Sequence, residues 1–122
     1  YGNIRLNTCF YMNGSKVFLF SIKTGPKLIK ETLEKNNLIM ADIDMFIFHQ
    51  ASKIIIETIT KKLNIPSEKY YLYLEECGNT SASSIPIAIY NADKDKRIKK
   101  GYKIMLISFG TGFSWGATVI DY

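Results

Sequence analysis

The sequence predicts an α/β sandwich: a mixed, mostly parallel five-stranded sheet covered by helices, in the order β-α-β-α-β-α-β-β. Three observations carry this expectation. The apolar runs Val17-Phe18-Leu19-Phe20, Met45-Phe46-Ile47-Phe48 and Ile104-Met105-Leu106-Ile107 do not alternate with polar residues, as suits strands covered on both faces. Helical spacing of apolar residues fills the intervals between them. A glycine-rich turn at Gly110 and Gly112 separates two final strand patterns that can pair antiparallel.

Taken in order, Asn13-Gly14 reads as a hairpin turn, because both residues tolerate positive φ, with Val17 to Ile22 as the strand that follows. A first helix is expected to open at Gly25-Pro26, where proline suits the first turn, and to end near Asn36-Asn37. Its apolar side carries Leu28, Ile29 and Leu33. A second helix runs from about Ser52 to Leu63, with Ile55, Ile59 and Leu63 inward and Lys53, Glu57 and Lys61 outward. Pro66 limits its continuation. A short strand around Tyr71 to Leu74 leads through Gly78-Asn79-Thr80-Ser81 to a third helix presenting Ile85, Ala88, Ile89 and Ala92. Asp93 to Gly101 reads as a basic, solvated loop before strands at about Lys103 to Phe109 and Ser114 to Ile120.

The 122 residues fit one domain with a sizeable core. Apolar residues make up 47% and charged residues 22%, which is ordinary globular usage and excludes a disordered chain. No apolar run approaches the roughly 20 residues needed to span a bilayer. Tyr1-Gly2-Asn3-Ile4 has no initiator Met and no signal pattern, so it reads as a cut inside a longer protein, with residues 1–15 as the cut end and hairpin. Cys9 and Cys77 lack CxxC spacing, which fits reduced thiols in the cytoplasm and no metal. The net charge of +5 favours an acidic partner. Nucleic acid is not the expected one, since no binding motif accompanies the charge.

In a mostly parallel sheet, chemistry collects beyond the carboxyl ends of the strands. Three segments fall there: Phe48-His49-Gln50-Ala51, Gly78-Asn79-Thr80-Ser81 and Phe109-Gly110-Thr111-Gly112. Taken alone, each has a bland reading. A single histidine is more often a structural hydrogen-bonder than a catalyst, and Asn79 or Thr80 before a helix is a favoured cap. Gly110 and Gly112 fit a tight connection as well as a close backbone approach to a ligand oxygen.

Together these segments resemble the C-terminal half of the thiolase-fold condensing enzymes, most closely the 3-oxoacyl-[acyl-carrier-protein] synthase III family. Phe48-His49-Gln50-Ala51 looks like that family's histidine motif, Gly78-Asn79-Thr80-Ser81-Ala82-Ser83-Ser84-Ile85-Pro86 like its asparagine motif, and Phe109-Gly110-Thr111-Gly112-Phe113-Ser114-Trp115-Gly116-Ala117 like its terminal glycine motif. The resemblance implies an acyltransferase of fatty acid biosynthesis that condenses an acyl-coenzyme A primer with malonyl-acyl carrier protein. It implies His49 and Asn79 as the catalytic donors, the backbone at Phe109, Gly110 and Thr111 as the acyl-site loop, and a nucleophilic cysteine in an N-terminal half outside this chain. Neither Cys9 nor Cys77 is expected to be that nucleophile.

Acyl carrier protein, the missing half and a second copy of the full enzyme are the implied partners, with no cofactor beyond the two substrates. Three departures accompany the resemblance. Thr111 stands where many relatives have glycine, and Ser52 replaces an asparagine but is expected to cap the following helix equally well. Ile54 occupies the position of an arginine that grips the carrier, leaving Lys53, Lys61 and Lys62 as the basic groups for docking. A specialised acyltransferase pathway, and a non-catalytic module that binds the carrier or supports dimerisation, are the competing readings.

Overall fold

The computed structural model describes residues 11–122. Cys9 and the first ten residues of the expected cut end lie outside them. Helix α1 spans Gly14–Lys35, so the hairpin at Asn13-Gly14, the strand Val17 to Ile22 and the helix start at Pro26 are all corrected to one helix. Asn13 is its N-cap, and the Asn13 Oδ1 accepts from the Lys16 N–H at 3.0 Å. Asparagine satisfies free N–H groups at a helix start as readily as it forms turns. Pro26 sits inside the helix and removes one internal hydrogen bond. Packing outweighs that cost, because Ser21, Gly25, Pro26, Ile29, Thr32 and Leu33 form one buried stripe running through it.

Strand β1, Met45–Phe48, follows, buried at all four positions. Helix α2, Lys53–Lys62, agrees with expectation within a residue at each end, although Ile56 and Thr60 join Ile59 in the core while Ile55 and Leu63 are only partly covered. Ser52 occupies its N-cap position, but its hydroxyl makes no capping bond. The strand expected at Tyr71 to Leu74 reduces to one parallel bridge between Phe46 and Tyr70, after which Leu74–Cys77 forms the single turn α3. Helix α4, Ser84–Lys94, buries Ser84, Ala88, Asn91 and Ala92. Strands β2, Lys103–Gly110, and β3, Ser114–Asp121, close the chain.

Among the described residues the sheet therefore has three strands in the order β1-β2-β3, not five. It is evenly mixed: β1 and β2 run parallel, β2 and β3 antiparallel. Phe46, Phe48, Met105 and Ile107 pack with Ile29, Ile56 and Ile59 of α1 and α2 on one face. Met45, Ile47 and Ile104 pack with Tyr71, Ala88, Ala92 and Ile98 on the other. The expected sandwich is present, and the unbroken apolar runs of β1 and β2 follow from it. Strand β3 is the more exposed edge.

One further finding departs from expectation. The segment after α4 is tied down rather than merely solvated: the Tyr71 hydroxyl donates to Asp95 at 2.5 Å, Arg97 lies over the Tyr71 ring, and Ile98 is buried. Burial, reinforced by that bond to Asp95, holds the Tyr71 hydroxyl far above the ordinary phenol range. No helix among the described residues is long and apolar enough to cross a membrane.

Gly25 marks the closest approach of α1 to its neighbours. A Cβ there would stand 2.6 Å from Ile59 Cδ1 and 3.2 Å from Phe109 Cζ. Gly25→Ala gains about 1 kcal/mol of helix propensity but overpacks a fully buried site at a cost of about 1–3 kcal/mol. The expected net result is a loss of about 1 kcal/mol, read as a lower urea midpoint at constant slope in the full-length protein. A higher midpoint would mean that Ile59 moves aside without cost.

Candidate functional site

His49 follows β1 directly, and its backbone N–H donates to the Ile107 carbonyl at 2.7 Å, extending the β1–β2 pairing by one step. Alternation along the strand sends its side chain to the face that Met45 and Ile47 share with α4. There Nδ1 meets the Ser84 Oγ at 2.5 Å. The same oxygen accepts the Gln50 N–H at 3.2 Å, so one buried hydroxyl at the start of α4 grips both the ring and the backbone beside it. Burial lowers the His49 pKa below its ordinary 6.5.

Gln50 is a structural residue whose importance the residue pattern alone does not reveal. It is 1% exposed, and its Nε2 donates to the carbonyls of Phe48 and Tyr71 at 2.8 and 3.3 Å. Its Oε1 accepts the Tyr73 N–H at 2.9 Å. The amide thus performs in the core the bonding that a longer strand at Tyr71 to Leu74 would have supplied. A polar side chain next to a buried strand end was the available signal.

Asn79 is exposed, and its Oδ1 accepts the Ser81 N–H at 2.9 Å. Because a backbone N–H only donates, this bond engages the amide oxygen and leaves the NH2 group out of it. Asn79 does not cap α4, whose N-cap is Ser83. The Thr80 Oγ1 is buried without a hydrogen-bond partner among the described residues, so neither member of the expected Asn-Thr cap serves α4. The loop also holds Gly78 at φ +68° and Ser81 at φ +53°. For serine that left-handed conformation costs about 1–2 kcal/mol, a cost accepted beside Asn79. Ser84 lies five residues on and reaches His49, which brings the histidine and asparagine segments to the same end of the sheet.

The glycine segment extends this end. Beyond Ile107, β2 continues three residues to Gly110, about 10 Å. A Cβ on Gly110 would stand 2.8 Å from the Ser114 Oγ, and Gly112 has φ +145°, so the two glycines answer different constraints. Thr111 avoids the left-handed region, and its carbonyl accepts the Ser114 hydroxyl at 3.1 Å. The turn is clasped to α1 by rings: Phe20 stacks on Phe113 at 4.3 Å and meets Trp115 and Phe109 edge-on at 5.4 and 6.3 Å. A shallow, open depression of about 220 Å³ is lined by Ser108, Gly110, Ser114, Trp115 and Gly116 on the β2–β3 hairpin; His49 is not part of its lining.

The basic residues of α2 are not gathered. Lys53 pairs with Glu75 at 2.6 Å, which raises its pKa through that hydrogen bond. Lys61 and Lys62 are exposed at the far end of the helix, about 12 Å along its axis from Lys53. Ile54, exposed at 67%, presents an apolar side chain to solvent. Cys77 is exposed, with its thiol directed at the Tyr73 and Gly78 carbonyls. Among the described residues no cluster of His, Cys, Asp or Glu has the makings of a metal site.

Residues 33–122 match the family described as 3-oxoacyl-[acyl-carrier-protein (ACP)] synthase III C terminal. The chain is 41% identical over 111 residues to the beta-ketoacyl-[acyl-carrier-protein] synthase III of Methylococcus capsulatus, covering 91% of this chain and 35% of that protein. For the enzyme of the same name from Clostridium perfringens the identity is 44% over 109 residues, with 89% and 34% covered. Among solved structures, the beta-ketoacyl-[acyl carrier protein] synthase III of Thermus thermophilus gives a TM-score of 0.89 at 38% identity, over 92% of this chain and 35% of that one. The 3-oxoacyl-[acyl-carrier-protein] synthase III of Aquifex aeolicus gives 0.88 at 37%, with 92% and 36% covered. The chain spans about a third of the length of these relatives. The fold is of the thiolase-like α/β kind found in those structures, and the chain belongs to the 3-oxoacyl-[acyl-carrier-protein] synthase III family, in which it corresponds to the C-terminal domain.

Proposed function

We propose that this domain supplies the decarboxylating half of a condensing active site, with His49 and Asn79 as hydrogen-bond donors to the thioester oxygen of malonyl-acyl carrier protein. The observation that carries the reading is the Asn79 side chain, whose Oδ1 accepts the Ser81 N–H and whose NH2 group is left out of that bond, on the segment that Ser84 ties to His49. Loss of carbon dioxide leaves an enolate on the remaining two-carbon thioester. Its carbon attacks an acyl group held as a thioester on a cysteine supplied from outside this chain. The carbon-sulfur bond breaks, the thiolate takes a proton from the medium, and a 3-oxoacyl thioester leaves on the carrier.

His49 is partly withdrawn from water and Asn79 is exposed; as donors to the oxygen where charge develops, they would stabilise the enolate-like state more than the starting thioester. The Thr111 backbone N–H would serve the second oxyanion, on the acyl thioester. Thr111 in place of glycine is no obstacle, since Gly112 takes the left-handed conformation of the turn. Carrier docking would rest on Lys61 and Lys62 more than on Lys53, which Glu75 already engages. The acyl-coenzyme A primer and the full-length homodimer belong to the same proposal.

In the full-length protein, His49→Ala is expected to slow malonyl decarboxylation and condensation by at least about 100-fold. Asn79→Asp should do the same or worse, because a carboxylate repels the developing charge. Acylation of the cysteine by acyl-coenzyme A should persist in both. Unchanged decarboxylation in His49→Ala would remove the catalytic reading and favour a docking module.

A neutral imidazole is required, and burial supplies it. With a folded-state pKa below 6.5, the unfolded chain binds the proton first as acid is added. Stability present above pH 6.5 is therefore lost as pH falls from 6.5 through the folded-state value. The wild type should lose stability relative to His49→Gln across that window, and an NMR titration of His49 should have its midpoint below 6.5. A midpoint above 6.5 would contradict the neutral donor.

A further inference from the structure

The hydroxyl of Ser84 has one proton and two lone pairs. Gln50 N–H, at 3.2 Å, is a donor and can only fill a lone pair. Ser84 is 1% exposed, so its own proton needs an acceptor within the protein. Among the described residues the acceptor within reach is His49 Nδ1, at 2.5 Å. We infer that Ser84 is a positioning residue: its O–H donates to His49 Nδ1 and thereby fixes the imidazole in the tautomer that carries its proton on Nε2.

The opposite tautomer would direct Nδ1–H at the same oxygen. The hydroxyl would then accept twice and keep an unpaired proton in a buried site. Leaving a buried donor unpaired is costly enough to favour the Nε2–H form by about tenfold or more. The arrangement makes the free ring nitrogen a standing donor rather than an acceptor. It also separates two tasks. The Gln50 side chain, bonded to Phe48, Tyr71 and Tyr73, holds the backbone beside the ring, while Ser84 sets which nitrogen bears hydrogen.

Only the catalytic consequence of this assignment rests on the function proposed above; the tautomer does not. The test uses full-length protein labelled with 15N-histidine and two-bond 15N–1H correlation spectra. Signals of His49 are those missing from His49→Gln. The wild type should show a bare Nδ1 and a protonated Nε2. In Ser84→Ala the ratio of the two tautomers should move at least about tenfold toward Nδ1–H, and in Ser84→Cys, with a weak donor of similar size, it should move the same way by less. Condensation should fall in both while cysteine acylation by acyl-coenzyme A is retained.

A wild-type spectrum with the proton on Nδ1 overturns the assignment, and so does an unchanged ratio in both variants. Should Ser84→Ala fail to fold, the wild-type and Ser84→Cys spectra still decide. A tautomer that shifts without any loss of condensation leaves Ser84 in its place and removes instead the catalytic reading of His49.

Discussion

The four residues of β1 are the constraint on which this structure turns. Met45, Phe46, Ile47 and Phe48 are all buried, two facing α4 and two facing α1 and α2. A strand with no wet face cannot slip by one residue without exchanging its two layers of partners. Its parallel pairing with β2 therefore has one register, Phe48 opposite Ile107, and that register places the next residue, His49, on the α4 side. The position of the candidate donor is thus decided by packing several residues away, and Ser84 receives a ring whose direction is already set.

Much of this is legible in the sequence, because β1 and β2 are short apolar runs with helical patterns on either side. The final hairpin, α2 and the buried alanines of α4 were legible for the same reason. The failures have physical causes. Asn13-Gly14 suits both a turn and a helix start, and what decides between them is the stripe from Ser21 to Leu33, which appears only when the residues on both sides of Pro26 are read as one helix. Val17 to Phe20 resembled a buried strand because a run of four apolar residues has no distinct period. Tyr71 to Leu74 has strand composition, yet Gln50 takes the bonds that would have extended the pairing.

The misread helix matters to the site. Phe20, counted as a strand residue by pattern, is the ring on which Phe113, Trp115 and Phe109 gather. The glycine turn is free to take conformations that side chains resist because aromatic contacts on both of its flanks restrain it, each pair worth about 0.5–1.5 kcal/mol beyond its buried area. The positive φ of Gly112 and the stacked ring of Phe113 are thus adjacent and complementary. The charged residues show the opposite limit of sequence reading: Lys53 is basic by composition, but Glu75 is 22 positions away and becomes its partner only through the fold.

The two candidate donors follow one design. An imidazole and a carboxamide each carry a donor and an acceptor, so what holds the acceptor sets how the donor is oriented. Ser81 N–H occupies the acceptor of Asn79, and the Ser84 hydroxyl that of His49. Both partners lie in the short segment from the asparagine loop to the first turn of α4, so one stretch of chain prepares both groups. That explains why the left-handed Ser81 is tolerated. Relaxing its backbone would move the N–H that orients Asn79 and displace the start of the helix that orients His49. A loop so placed trades a small loss of stability for the orientation of two candidate donors, and donors held in place need little reorganisation when charge appears.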